Sequence, residues 1–173
     1  MKSKRDNIYL IGPMGAGKTT IGKKLAKKLG KRFFDSDREI EKTTGATINL
    51  IFDVEGEAGF REWESKTLEI LIAEDNVVLA TGGGAVLSEA NRELLKKNGI
   101  VIYLEVAPEL IVKRTEYDNN RPLLATKNKL KTITELLNVR EPIYDKTADY
   151  KINVDKKSTS RIINEISELL EEK

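Results

Sequence analysis

Two rhythms of apolar and polar positions share this chain. Short apolar runs bounded by glycine or charged residues predict strands at about Asn7–Ile11, Arg32–Phe34, Val77–Ala80, Ile100–Leu104 and Lys151–Val154. Between them, apolar residues return every three or four positions, as on helices. After the first strand, Ile21, Gly22, Leu25, Ala26 and Leu29 share one side of such a helix, and Lys23, Lys24, Lys27 and Lys28 share the other; Gly30 suits its C-cap. A short charged helix is expected over Arg38–Thr43, running to Gly45. Ile48–Phe52 follows, with Gly56 and Gly59 as breaks before a long helix marked by Phe60, Trp63, Thr67, Ile70 and Leu71. Further helices are expected around Glu89–Lys97, from Pro108 to about Glu116, and over Thr132–Asn138, with Arg140, Pro142 and Tyr144 after it. Ser158 caps a closing helix whose stripe is Ile162, Ile163, Ile166, Leu169 and Leu170. That stripe covers less than two heptads, so it fits packing on a sheet better than a coiled coil. Strands alternating with helices predict one α/β domain over 1–173, a five-stranded parallel sheet with helices on both faces.

One connection carries chemistry. Gly12-Pro13-Met14-Gly15-Ala16-Gly17-Lys18-Thr19 fits G-x-x-x-x-G-K-[ST] at every fixed position, between the first strand and the first helix. Such a loop curls so that several backbone N–H groups converge, and the helix N-terminus adds partial positive charge. Lys18 is placed to reach the β- and γ-phosphates of a nucleotide and the Thr19 hydroxyl to ligate Mg²⁺. The loop says nothing about where the phosphate goes.

Composition narrows the chemistry. The chain has no histidine and no cysteine, so a general base must be a carboxylate or a shifted lysine, and thiolate or histidine metal sites are excluded. A formal net charge of +2 gives no footprint for nucleic acid, and the lysine face of the first helix lacks interleaved aromatics. No apolar run has the length of a membrane span, and Met1–Asp6 leads into the first strand without a signal segment, from which a cytoplasmic location is expected.

Ligands of open α/β sheets bind at the C-terminal strand ends. That rule gathers the phosphate loop, Asp35 and Asp37 after strand two, and Thr81-Gly82-Gly83-Gly84 after strand three. If the strand continues, Asp35 and Asp37 face the same way, into the cleft; either could instead cap the helix that follows. Three consecutive glycines suggest close approach of a ligand to backbone. Arg61, Arg121 and Arg140 are candidates for gripping an anion, because guanidinium pairs bidentately with carboxylate and phosphate. Tyr117–Asn128 is polar and turn-rich and reads as a flap.

The chain resembles the shikimate kinases over nearly its whole length. The matching residues are the loop Gly12–Thr19, Phe34-Asp35-Ser36-Asp37, Ile51-Phe52, Gly56-Glu57, Phe60-Arg61-Glu62 with Glu64, and Thr81-Gly82-Gly83-Gly84-Ala85-Val86. They continue with Tyr103-Leu104, Arg121-Pro122-Leu123-Leu124, Arg140 with Tyr144, and Ala148-Asp149. The resemblance implies a three-layer sandwich like that of the nucleoside monophosphate kinases, with an acceptor-binding region at about 35–64 and a mobile lid at about 115–128. It implies transfer of the ATP γ-phosphoryl group to the 3-hydroxyl of shikimate, on the route to chorismate and the aromatic amino acids. By the same resemblance, Asp37 is the catalytic carboxylate, with Lys18 and Arg121 also catalytic. Arg61 and Arg140 grip the substrate carboxylate, and Gly82, Gly83 and Gly84 line the ring, with Gly83 offering backbone to its hydroxyls. Gly12, Gly15, Ala16, Gly17, Lys18, Thr19, Thr20, Arg114, Arg121 and Lys157 bind ATP, and Thr19 and Asp35 serve Mg²⁺. A monomer is expected, with no nucleic-acid or membrane partner. Lys146 departs from the family, where an acidic residue is commoner.

Two other readings compete. A gluconate-type sugar-acid kinase also handles an anionic polyol, so Arg61 and Arg140 alone do not exclude it; the Asp-Ser-Asp and triple-glycine set favours shikimate. A nucleotide-dependent regulatory module is disfavoured by the presence of Lys18, Thr19, Asp35, Asp37 and Arg121, and by the lack of an Asn-Lys-x-Asp base-reading motif.

Overall fold

A computed structural model describes residues 6–116 and 127–172. Five parallel strands form one sheet in the order β2-β3-β1-β4-β5: β1 Ile8–Ile11, β2 Arg32–Asp35, β3 Val77–Ala80, β4 Ile100–Glu105 and β5 Tyr150–Asn153. Seven helices are described around it: α1 Lys18–Leu29, α2 Ser36–Thr44, α3 Ile48–Ile72, α4 Glu89–Asn98, α5 Pro108–Thr115, α6 Lys129–Thr147 and α7 Thr159–Glu171. A single 3₁₀ turn, Ala85–Leu87, follows β3. No described helix is long and apolar enough to cross a membrane.

The central strand explains the layering. All four β1 residues are buried, and their side chains alternate between faces. Ile8 and Leu10 enter one core with Ile21, Leu25 and Ala26 of α1 and Ile162, Ile163 and Ile166 of α7. Tyr9 and Ile11 enter the other, with Leu68 and Leu71 of α3, Leu95 of α4 and Tyr144 of α6. A third apolar cluster, Ile40, Ile51 and Phe60, joins α2 to α3 beyond the sheet edge. Pairing Leu10 with Ala80 and Ile102 brings the ends of β1, β3 and β4 to one edge, where the site lies.

Two elements, α6 and α3, differ from the sequence expectation. The helix expected to end at Asn138 continues through Pro142 to Thr147 as α6. Buried Ile133, Leu137, Arg140, Tyr144 and Thr147 repeat at alternating spacings of four and three across the proline. Burying that stripe outweighs the hydrogen bond that Pro142 cannot donate. In α3 the break falls at Gly56 alone (φ 71°, ψ −179°), a conformation open to glycine, while Gly59 stays helical. The inner stripe of α3 is Phe60, Glu64, Thr67, Leu68 and Leu71; Ile70 is 66% exposed, and a glutamate takes an inner place.

Candidate active site

The phosphate loop leaves β1 and enters α1 through Gly17, whose left-handed φ of 93° turns the chain into the helix without a side-chain cap. Gly12 cannot be larger: a Cβ there would lie 2.6 Å from the Leu104 carbonyl oxygen of β4. Lys18 is buried at the start of α1, and its ammonium donates to the carbonyls of Gly12 at 2.6 Å and Pro13 at 2.8 Å. Arg114 of α5 reaches across and donates to the Gly15 carbonyl at 2.7 Å. A cavity of about 710 Å³ opens over this loop. Gly15, Ala16, Gly17, Lys18, Thr19 and Thr20 line it, with Arg114 and Lys157 beside them. Lys157 is held by Glu165 at 2.9 Å.

The same cavity takes in Asp35, Asp37, Thr81, Gly82 and Gly83. Asp35 is the last residue of β2 and the N-cap of α2. Its Oδ1 accepts from the N–H of Asp37 at 3.0 Å and of Arg38 at 3.2 Å, and its Oδ2 accepts from the Thr19 hydroxyl at 2.5 Å. Asp37 stands in the first turn of α2, so the strand ends at Asp35, which takes the cap position left open as the alternative. Both carboxylates reach the cavity, one from a cap and one from a helix. The Thr19 hydroxyl and Asp35 carboxylate supply hard oxygen donors beside the loop, a donor set that suits Mg²⁺.

Each of the three glycines has its own neighbours. A Cβ at Gly82 would meet Glu64 Oε2 at 2.8 Å and Asp37 Oδ1 at 2.9 Å. At Gly83 it would meet the Met14 N–H nitrogen of the phosphate loop at 3.3 Å and Arg140 Nη1 at 3.6 Å. At Gly84 it would strike Arg61 Nη2 at 2.4 Å. The glycines are therefore seats for charged side chains of the protein itself. Among the described residues, Gly82 and Gly83 wall the cavity; Gly84 lies beneath the Arg61 guanidinium. Arg121 and most of the lid expected at 115–128 fall outside the described residues.

Charges here are closely balanced. Arg61 donates to Glu64 at 2.9 Å and to Glu57 at 3.2 Å, and its guanidinium stands 5.2 Å from the Phe60 ring centre. Glu64 is only 1% exposed. Burial pushes its carboxyl up to about 6; Arg61 pulls the other way, neighbouring Asp37 adds to the rise, and Arg140 opposes it. Arg140 is buried in α6, one turn from Tyr144. The Tyr144 hydroxyl donates to the Gly83 carbonyl, and its ring stacks on Tyr103 at 4.9 Å. Burial pushes the Tyr144 hydroxyl up to about 12 against the opposing pull of Arg140.

Glu64, Tyr144 and Ser36 are among the residues that match the family, but the resemblance gave them no function. Ser36 is fully buried and its hydroxyl accepts from the Gly82 N–H at 3.0 Å. A signal existed for Glu64: a carboxylate three residues after Arg61, at a helical spacing that also includes Phe60, Thr67 and Leu71.

A phosphate loop opening a helix at the strand ends, with a carboxylate facing it and the half-buried Arg61 and buried Arg140 behind, defines a P-loop phosphotransferase with a small-molecule acceptor. The shikimate kinase family model matches residues 14–171. A shikimate kinase of Nitrosococcus oceani is 51% identical over 160 residues, covering 92% of this chain and 84% of the relative. The solved shikimate kinase of Acinetobacter baumannii, in complex with shikimate, superposes with a TM-score of 0.93 at 49% identity, covering 95% of this chain and 92% of that one. The chain belongs to the shikimate kinase family. A gluconokinase structure from Sinorhizobium meliloti 1021 shares the fold alone, with a TM-score of 0.59 at 15% identity over 96% of this chain and 94% of that chain.

Proposed function

We propose that the cavity holds ATP at the phosphate-loop end and shikimate at the Asp37 end, and that the residues around it carry the family's reaction in the following roles. The chain is an ATP-dependent kinase that phosphorylates shikimate, and it acts on the 3-hydroxyl. A new bond forms from that oxygen to Pγ, the bond from Pγ to the β,γ-bridging oxygen breaks, and ADP leaves. Asp37 orients the hydroxyl and receives its proton. An ordinary carboxylate suffices, because a loose phosphoryl-transfer transition state needs little prior deprotonation. Arg61 and Arg140 hold the shikimate carboxylate bidentately, the backbone of Gly82 and Gly83 approaches the ring, and Gly84 leaves room for the Arg61 guanidinium.

On the other side, the loop N–H groups and Lys18 hold the β- and γ-phosphates, and Arg114 and Lys157 flank the adenosine. Thr19 and Asp35 would hold Mg²⁺, which would supply charge neutralisation for the transferring phosphoryl group. Arg121, in the lid proposed at 115–128, closes over the phosphates and limits hydrolysis. The working unit is a single chain in the cytoplasm, and sedimentation of the purified protein checks the first point.

The observation that carries this reading is the meeting of the phosphate loop, Asp37 and Gly82–Gly83 around one cavity. The test is ADP release from ATP and Mg²⁺ with shikimate, gluconate or no acceptor. ADP is expected with shikimate only, and Asp37→Asn should lower kcat by roughly 10²–10⁴-fold. Equal ADP release without acceptor would overturn the assignment of Asp37, Arg61 and Arg140.

A further inference from the structure

The 82–87 segment is pinned almost everywhere by bonds independent of α6. Gly82 N–H donates to Ser36, Ala85 N–H to the Gly82 carbonyl, and Leu87 N–H to the Gly84 carbonyl. Asn91 holds the Ala85 carbonyl at 2.9 Å, and Arg92 holds that of Val86 at 2.7 Å. The Gly83 carbonyl is different, because its described donor is the Tyr144 hydroxyl. Gly83 is also where the turn meets both halves of the site, between the phosphate-loop nitrogen of Met14 and the guanidinium of Arg140.

Tyr144 is built to hold that point. It is fully buried, its ring is fixed by the stack on Tyr103, and it shares a helix face with Arg140. One side chain therefore ties Gly83 to the helix that carries Arg140. We propose that Tyr144 is a positioning residue for the acceptor: its hydroxyl sets the spacing between the Gly83 backbone and the Arg140 guanidinium, and so the fit of the shikimate ring and carboxylate. This rests on the assignment of Gly83 and Arg140 to shikimate under the proposed function.

Tyr144→Phe keeps the ring and its stack and removes only the hydroxyl. The remaining pins of the segment do not involve Tyr144, so the turn stays folded while Gly83 loses its tie. The expected result is a rise in the KM for shikimate of about tenfold, as for one lost hydrogen bond at a binding site, with the KM for ATP within twofold of wild type. Wild type assayed in parallel with shikimate tests the proposed function separately, since an inactive wild type defeats that reading before the variant is considered. If the variant melts too low for kinetics at 25 °C, shikimate is titrated at 10 °C against the fluorescence of Trp63, the chain's one tryptophan. A shikimate KM or Kd within twofold of wild type would overturn the proposal. So would an equal loss toward ATP and shikimate, which marks Tyr144 as a structural strut.

Discussion

Replacing Gly84 by alanine should damage acceptor binding without damaging the fold. The added Cβ would lie 2.4 Å from Arg61 Nη2, 2.6 Å from Nη1 and 2.7 Å from Cζ. Ordinary contact starts near 3.5 Å, so the guanidinium must retreat by about 1 Å. The obstacle is the far end of a flexible side chain, and Gly84 has a negative φ of −100°, which alanine adopts. The melting temperature should therefore stay within a few degrees of wild type. Arg61 fares worse. Its guanidinium, bonded to Glu64 at 2.9 Å, is displaced from the place where it would meet a substrate carboxylate, and one bond of that grip is lost. A hydrogen bond to a charged group contributes about 1.5–3 kcal/mol, and each 1.4 kcal/mol is tenfold, so the KM for shikimate should rise roughly 10- to 100-fold. The KM for ATP should not move. Steady-state ADP release with each substrate varied, beside a thermal melt, reads all three quantities. A shikimate KM within twofold of wild type would show that Arg61 is not held by its seat on Gly84. Parallel loss of both KM values and of stability would point to a disrupted turn.

Glu64 links acceptor binding to pH. Its carboxyl titrates near 6 under the influence of burial, Arg61, Asp37 and Arg140, so acid removes the charge that holds Arg61. In wild type, kcat/KM for shikimate should fall as pH drops below about 6, and Glu64→Gln should flatten the profile there; parallel profiles would refute it. The sign for stability is opposite. A folded pKa of about 6 against an ordinary 4.5 means that the folded chain binds the proton more tightly. Its contribution is full below 4.5 and is lost as pH rises through 6, about 2 kcal/mol in all, seen as a loss in wild type relative to Glu64→Gln in urea melts. Asp35→Asn separates two roles, because asparagine still caps α2 but lacks the charge. The Mg²⁺ concentration for half-maximal activity should rise about 10–100-fold with little change in melting temperature. A fall in stability with unchanged Mg²⁺ dependence would leave Asp35 as a cap alone.

The order of elements, the phosphate loop and the family resemblance were legible in the chain itself, because they rest on local rules. A run of buried apolar residues must pair, a glycine loop before a helix binds phosphate, and the stripes of α1 and α7 show which sides pack inward. Local rules failed where a distant contact outweighed them. The helix expected to end at Asn138, ahead of Pro142, is carried through the proline by the buried stripe from Ile133 to Thr147. Ile70 reads as core but faces outward, while Glu64 is buried because Arg61 pairs with it and Arg140 is near. The sequence alone determined that three glycines follow β3. Only the tertiary structure decided why they are there: Asp37 and Glu64 arrive from α2 and α3, Arg61 from α3 and Arg140 from α6, and each needs the space a side chain would take. Chain position cannot reveal that packing, because elements far apart in sequence meet at one strand end.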